Sequence, residues 1–300
     1  MSKFSRVRFI EFLKPVAASQ PPRGSDWIHE IKHDGYRTQL LIEDGRAAAF
    51  SKSGLDWTDR YPHIAKSAAT LGCSSAIIDG EVVINDENGV SSFARLPGAI
   101  RREPHNLLFM AFDLLHLDGH DLRREPLLTR KKLLKKLLGR RKGPLRYVDH
   151  LVTDGASFFA ACENLGLEGM VSKRPDSIYK SGPSKNWLKT KCYTLTDFDM
   201  IGTATTRQGE RVALLRGRDT GEYAGTAFIN LKREKREMLS ARIRKLRASR
   251  PALKGTRFKD ADWLKPGLVA SVRHLRGEEG LRHASILDIR DGDEDVPAED

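Results

Sequence analysis

The run Lys32-His33-Asp34-Gly35-Tyr36-Arg37 breaks an extended stretch at a glycine, and four later segments answer to it in a fixed order. They are Asp79-Gly80-Glu81, Phe112-Asp113, Glu168-Gly169-Met170-Val171-Ser172-Lys173 and Trp187-Leu188-Lys189-Thr190-Lys191. Alternate residues of a strand share a face, so Glu30, Lys32 and Asp34 project together. Asp79 with Glu81, and Lys189 with Lys191, repeat the same spacing. Gly35 lets the backbone turn where a side chain would obstruct.

The rest of the chain reads as alternating strands and helices. Trp27 to Lys32 and Thr38 to Glu43 are strand-like, and Asp44-Gly45 is a hairpin turn into Ala47 to Ser51. Asp59 to Leu71 is predicted helical. Ala76 to Asp79, Glu81 to Asn85 and Leu107 to Leu114 are predicted strands, with Asn88-Gly89 a tight turn. Leucines at 127, 128, 133, 134, 137 and 138 predict a basic amphipathic helix, and Ser157 to Leu165 a further one. Gly169 to Lys173 and Trp187 to Lys191 are again strand-like. After Thr196 the composition shifts to short strands between Gly-rich turns, with one basic helix candidate from Lys232 to Arg250, a pattern that suggests a small barrel. The fold class is therefore α+β. The expected organisation is a catalytic domain over 1–196, a barrel over 197–290 and an acidic disordered tail over 291–300.

Composition narrows the class. In 300 residues, 31% are charged and 39% hydrophobic, and the net charge is +12 with a pI near 9.7. The last ten residues carry six acids and no base, so the body is more basic still. Such a surface attracts polyanions. No apolar stretch is long enough to cross a bilayer, and the N-terminus lacks a signal-peptide pattern, which points to a soluble cytoplasmic protein. Cys73, Cys162 and Cys192 fit no zinc or disulfide spacing and read as three reduced thiols. His29, His33, His116 and His120 form no compact metal set and are expected to face solvent.

The chemistry follows from residue types. A lysine at pKa about 10.4 is a poor nucleophile unless burial or nearby cations lower its proton affinity. Lys189 and Lys191 are the candidate cations, and they would neutralise charge growing on a phosphate. Asp79 and Glu81, between apolar runs, need partners: a salt bridge, Mg2+ or a ribose hydroxyl. Glu168 could complete a metal site of oxygen ligands, for which magnesium suits better than zinc. Phe112 offers a flat apolar partner to a base. The helix from Lys232 to Arg250 holds nine bases and two acids, which suggests phosphate-backbone contact. Together these residues imply nucleotidyl transfer through a covalent lysine.

In this order the segments resemble those of the covalent nucleotidyltransferases: ATP-dependent DNA ligases, RNA ligases and mRNA capping enzymes. Lys32-x-Asp34-Gly35-x-Arg37 matches their nucleotidyl-lysine motif. Phe112-Asp113-Leu114-Leu115, Leu117-Asp118-Gly119-x-Asp121-Leu122-Arg123, Pro126-Leu127-Leu128-x-Arg130, Ser53-Gly54-x-Asp56-Trp57-Thr58 and Leu281-Arg282-His283-Ala284-Ser285 are similar to the ligase domain of bacterial end-joining DNA ligases. The resemblance spans about residues 10 to 290.

That resemblance implies an ATP-grasp-like adenylation domain followed by a C-terminal OB-fold β-barrel, using ATP and Mg2+ (or Mn2+) on nicked or broken double-stranded DNA. Lys32 would carry AMP, with Asp34, Lys189 and Lys191 as its catalytic partners. Glu30, Ile31 and Phe112 would contact the adenine. Arg37 and Glu81 would hold the ribose and the nick-side groups, and Lys52, Lys189, Lys191 and Arg282 the phosphates. Asp34, Glu81 and Glu168 would serve the metal. Lys232, Arg233, Lys235, Arg236, Arg242 and Arg244 would contact DNA. A nucleoid-associated monomer is expected, with a Ku-type end-binding protein as a partner and no further polymerase or nuclease module. Two departures stand out. Lys52 replaces the family's arginine and loses its bidentate fork. Arg290-Asp291-Gly292-Asp293 lacks the terminal lysine of the last motif, which points to slow self-adenylation. The alternatives are an RNA ligase or capping-type nucleotidyltransferase, or a nick- or end-binding scaffold with weakened catalysis.

Overall fold

The computed structural model describes residues 4–140, 143–251, 258, 261–275 and 281–292. The chain divides into two compact units, Met1–Cys192 and Tyr193–Asp300.

The first unit runs β1 (Leu13–Ala17), β2 (Ile28–Ile31), β3 (Tyr36–Glu43), β4 (Arg46–Ser51), α1 (Pro62–Ala68), β5 (Ser75–Val83), α2 (Leu96–Arg102), β6 (Leu108–Leu117), β7 (His120–Asp121), α3 (Leu127–Leu138), β8 (Leu145–Tyr147), α4 (Gly155–Asn164), β9 (Gly169–Lys173) and β10 (Gly182–Lys191). These strands make two mixed sheets, ordered β1-β10-β9-β2 and β4-β3-β5-β6-β7, with β8 parallel to β6. Apolar residues from both sheets, among them Leu13, Ile28, Trp187, Leu41, Ile77 and Leu115, form one cluster between them. The outer face of the larger sheet packs on α1 and α3 through Ile64, Leu134 and Leu138. The outer face of the smaller one packs on α4 through Met170 and Cys162.

Local rules explain the elements. Asp44 and Gly45 take positive φ, as the two-residue β3–β4 hairpin requires. The segments on either side of Gly80 form one continuous strand, β5, rather than two. Helix α3 keeps the span its leucines predict and stops at Gly139, which takes a positive φ. It departs from a simple amphipathic helix because Arg130 and Lys131 lie on the buried side.

The second unit runs β11 (Tyr193–Thr205), β12 (Arg211–Gly217), β13 (Tyr223–Phe228), α5 (Arg233–Lys245), β14 (Asp262–Trp263), β15 (Leu268–Leu275) and β16 (Ser285–Asp291). Pairing runs β12-β13-β16-β15-β11 and returns from β11 to β12, while β14 pairs with β11. A single bridge, Phe228 to Ser285, joins β13 to β16. Leu239 and Ile243 of α5 enter a core with Met200, Leu215, Ala270 and Ile286.

Three expectations need correction. Unit two begins at Tyr193, because β11 starts pairing with β15 there and not after Thr196. Asp291 is the last residue of β16 and pairs with Arg242, so it is not tail; residues 293–300 lie outside the described residues. His29 does not face solvent: it is fully buried and its Nδ1 lies 2.9 Å from Ser172 Oγ. Cys73, Cys162 and Cys192 are free thiols. Among the described residues no helix is long and apolar enough to cross a membrane.

Candidate active site

A cleft of about 740 Å³ opens in the first unit, lined by Lys32, Arg37, Lys52, Glu81, Phe112 and Lys189 among others. Strand register puts the key residues on one side. Glu30 of β2 faces Val171 of β9, and Val171 faces Lys189 of β10. Two residues along, Lys173 faces Trp187. Val171 and Lys173 of β9 and Trp187 and Lys189 of β10 thus line the cleft, while Met170, Ser172 and Thr190 do not.

Lys32 follows β2, and its amide is held by the carbonyl of Gly169 at 2.9 Å. Two glycines permit this close approach. A Cβ on Gly35 would lie 2.1 Å from the Val82 carbonyl oxygen. Gly169 has φ +147°, and a Cβ there would lie 2.2 Å from the Thr190 carbonyl oxygen. The Lys32 ammonium donates to Glu168 Oε2, and Lys191 Nζ lies 3.2 Å from Oε1 of the same carboxylate. Lys189 stands beside them. Burial, then Lys191, Lys32 and Lys52, hold its pKa below the usual lysine range. Such a cluster of cations around a carboxylate is a ready site for phosphate.

Across the cleft, Arg37 makes a bidentate pair with Asp79, at 2.7 and 2.8 Å, and donates to the Leu13 carbonyl at 3.3 Å. Tyr179 also donates to Asp79, at 2.8 Å. The Arg37 guanidinium lies 4.7 Å from the Phe112 ring centre and 4.9 Å from that of Phe12. Glu81, paired in register with Arg37, is pushed up to about 7 by burial, against the pull of Lys32 and Arg37. Burial also depresses His33 to about 4.

The family model of the ATP dependent DNA ligase domain matches residues 13–191, which hold every residue of this cleft except Phe12. The chain belongs to the ATP-dependent DNA ligase family. It is 35% identical over 310 aligned positions to the multifunctional non-homologous end joining protein LigD of Pseudomonas aeruginosa, covering 96% of this chain and 36% of that protein. It is 33% identical to a DNA ligase of Natronomonas pharaonis, covering 87% of this chain and 49% of that one. Among solved structures it resembles mycobacterial DNA ligase D complexed with ATP and MES, at 30% identity and a TM-score of 0.57, covering 93% of this chain and 95% of that one. This ligase chain thus spans about a third of the LigD protein it matches, and its first unit has the nucleotidyltransferase-type ligase fold with mixed sheets.

Within the ligase cleft, Glu30, Ile31, Lys32, Arg37, Lys52, Glu81, Phe112 and Lys189 gather as lining residues. Glu168 and Lys191 reach the group through Lys32. Asp34 does not line the cleft; its backbone amide is held by Ser91 Oγ at 3.0 Å. Arg282 belongs to the second unit. Of the α5 bases, Lys235 pairs with Asp288, Arg242 with Asp291 and Arg233 with Glu237. The chain itself therefore supplies part of the compensation that the helix was expected to draw from DNA. Asp79 takes the salt-bridge reading.

Sequence reasoning missed the buried charges behind the cleft. Arg130 makes a bidentate pair with Asp113, both fully buried. Lys131 and Lys173 share Glu30. The signal was present in α3: Arg130 and Lys131 stand three and four residues after Leu127, on the stripe that reaches Leu134.

Among the described residues no three His, Cys, Asp or Glu side chains gather as a metal set, so Asp34, Glu81 and Glu168 do not assemble as a trio. The donor chemistry still fits a hard cation. Mg2+ commonly takes one or two carboxylates and leaves its other positions to phosphate and water. Glu81 and Glu168 are the two carboxylates near Lys32, and the raised pKa of Glu81 marks a carboxylate short of positive charge.

Proposed function

We propose that this chain seals nicks or ends in double-stranded DNA, in repair and recombination, through a lysyl-AMP on Lys32 and a DNA-adenylate. The observation that carries the reading is the Lys32 amine set at the cleft among Glu168, Lys189 and Lys191. The uncharged Lys32 nitrogen attacks the α-phosphorus of ATP; a P–N bond forms and pyrophosphate leaves. The AMP then passes to a 5′-phosphate, forming a phosphoanhydride and freeing the lysine. A 3′-hydroxyl attacks that phosphate, the phosphodiester forms and AMP leaves. Each step depends on positioning and charge neutralisation.

Lys52, Lys189 and Lys191 serve the phosphates in this reading, Phe112 the base, and Arg37 with Glu81 the ribose and nick-side groups. Arg37 comes to that task already held by Asp79 and Leu13. Glu81 and Glu168 would hold Mg2+ or Mn2+, which would supply positive charge to the triphosphate. Asp34 is read as assisting Lys32, and Arg282 as a phosphate contact.

The second unit is read as an OB-fold barrel, supported by five strands that each have at least two partners. Its DNA contacts fall to α5. Among the described residues no ion pair engages Lys232, Arg236 or Arg244, so these offer their charge to phosphates most freely. Lys235, Arg233 and Arg242 must first exchange a carboxylate. A monomer acting in the nucleoid with a Ku-type end-binding partner completes the proposal.

The test is incubation with α-labelled ATP and, separately, GTP with Mg2+, on wild type and Lys32→Ala, followed by a nicked duplex. An alkali-stable, acid-labile label from ATP, absent in Lys32→Ala and released as AMP when the nicked strand is sealed, is the expected result. Full sealing by Lys32→Ala would refute the mechanism.

A further inference from the structure

Tyr179 does not line the cleft, yet it closes a ring of hydrogen bonds on Arg37, which does. It stands between β9 and β10 and is 4% exposed. Its hydroxyl accepts from the Leu13 amide at 3.0 Å and donates to Asp79 Oδ2 at 2.8 Å. Arg37 donates to both oxygens of Asp79, at 2.7 and 2.8 Å, and to the Leu13 carbonyl at 3.3 Å. The ring thus runs from Leu13 through Tyr179, Asp79 and Arg37 back to Leu13. It ties β1, β5 and β3 to the segment that leads into β10.

Each link has one direction. The Leu13 N–H occupies a lone pair of the phenol oxygen, which leaves the single phenol proton for Asp79. Burial, then the Asp79 charge, push the Tyr179 pKa up, so the hydroxyl keeps that proton. Asp79 is fully buried, and among the described residues its side-chain donors are Arg37 and Tyr179. A carboxylate held by Arg37 alone can rotate and carry the guanidinium with it; a second donor on Oδ2 opposes that rotation. The room for such a swing is small. The guanidinium lies 4.9 Å from the Phe12 ring centre and 4.7 Å from that of Phe112, and both rings line the cleft. Tyr179 is itself fixed. Its ring stands at 89° to Trp187 with centres 6.3 Å apart, and its amide donates to the Arg123 carbonyl at 2.8 Å.

We propose that Tyr179 is a positioning residue for Arg37: its hydroxyl fixes Asp79 so that the guanidinium stays aimed at the ribose and nick-side groups. This rests on the reading that Arg37 meets those groups. A tyrosine that served only the core would lower stability when its hydroxyl is removed, and any effect on sealing would be independent of Arg37. A positioning tyrosine acts through Arg37, so its effect on the reaction vanishes once the guanidinium is gone. Residues in one hydrogen-bond network show such coupling, whereas independent sites add.

The experiment measures lysyl-adenylate formation from ATP, and single-turnover nick sealing from preformed lysyl-adenylate. It compares wild type, Tyr179→Phe, Arg37→Ala and the double variant, each checked for a cooperative melting transition. Tyr179→Phe deletes one oxygen and keeps the ring beside Trp187. It should slow whichever step Arg37→Ala slows, by about tenfold, the scale of one hydrogen bond to a charged group. In the Arg37→Ala background the same change should cost less than about twofold. Replacing Tyr179 by 4-aminophenylalanine returns a donor to Asp79 and should recover most of the rate. Where Tyr179→Phe does not fold, 4-methylphenylalanine, which fills the hydroxyl's space without a donor, takes its place. Wild-type rates in the folded variant without a donor, an equal loss with and without Arg37, or no recovery with the amine would overturn the proposal. Wild-type rates in Arg37→Ala would instead sink the reading of Arg37.

Discussion

Glu81→Gln should make the protein more stable and less active, with the gain in stability growing as pH rises. Glu81 pairs in register with Arg37, and its carboxyl is raised from an ordinary 4.5 to about 7, chiefly by burial. A raised folded-state value means that the folded chain holds this proton after the unfolded chain has released it. The penalty is therefore absent well below pH 4.5, builds between 4.5 and 7, and is complete above 7. At about 1.4 kcal/mol per pK unit the full penalty is about 3 kcal/mol, and partial access to water reduces it to about 2. Glutamine keeps the shape and cannot ionise. Urea unfolding should find wild type and variant within about 0.5 kcal/mol at about pH 4 and the variant ahead by about 2 kcal/mol at about pH 8. In melting temperature this is about 5 °C for a domain of this size. Adenylate formation should fall in the same variant, because the amide gives a cation and a ribose a weaker partner. A gain independent of pH, or a loss of stability at the alkaline end, would show that Glu81 carries no such penalty.

Other outcomes are equally open to measurement. Asp113→Asn strands the buried Arg130 guanidinium and should cost about 3–5 kcal/mol in urea unfolding; a cost under about 1 kcal/mol would mean the pair is replaceable. On α5, Arg244→Ala should weaken nicked-duplex binding and lower the salt slope by about one. Lys235→Ala should do less, since Asp288 already engages that ammonium; equal effects would void the distinction. Lys189→Met should raise KM for ATP more than it slows nick sealing from preformed lysyl-adenylate, and the reverse split in single-turnover kinetics would remove Lys189 from the triphosphate.

The site was legible in the sequence where function and local geometry coincide. Residues two apart on strands must share a face, so Lys189 with Lys191 could be read directly. Gly35 could be read as a turn, although only the structure names the Val82 carbonyl it must clear. Less legible were charges whose meaning depends on distant partners. Asp79 and Glu81 have the same spacing and similar flanks. One is spent on Arg37 and Tyr179, while the other keeps a raised pKa beside Lys32. Arg130 and Lys131 look like solvent residues of a basic helix until α3 packs on the sheet and Asp113 and Glu30 arrive beneath them. The bases of α5 look like a bare phosphate track until β16 brings Asp288 and Asp291 alongside.

The sequence by itself determined the family, the candidate nucleophile and the course of most strands and helices, because these rest on contiguous motifs and on side-chain periods of two and three to four residues. Only the tertiary structure decided which charges are spent within the protein and which face the cleft. Burial and the pairing of residues far apart in the chain set the energy of each charge, and neither is a local property.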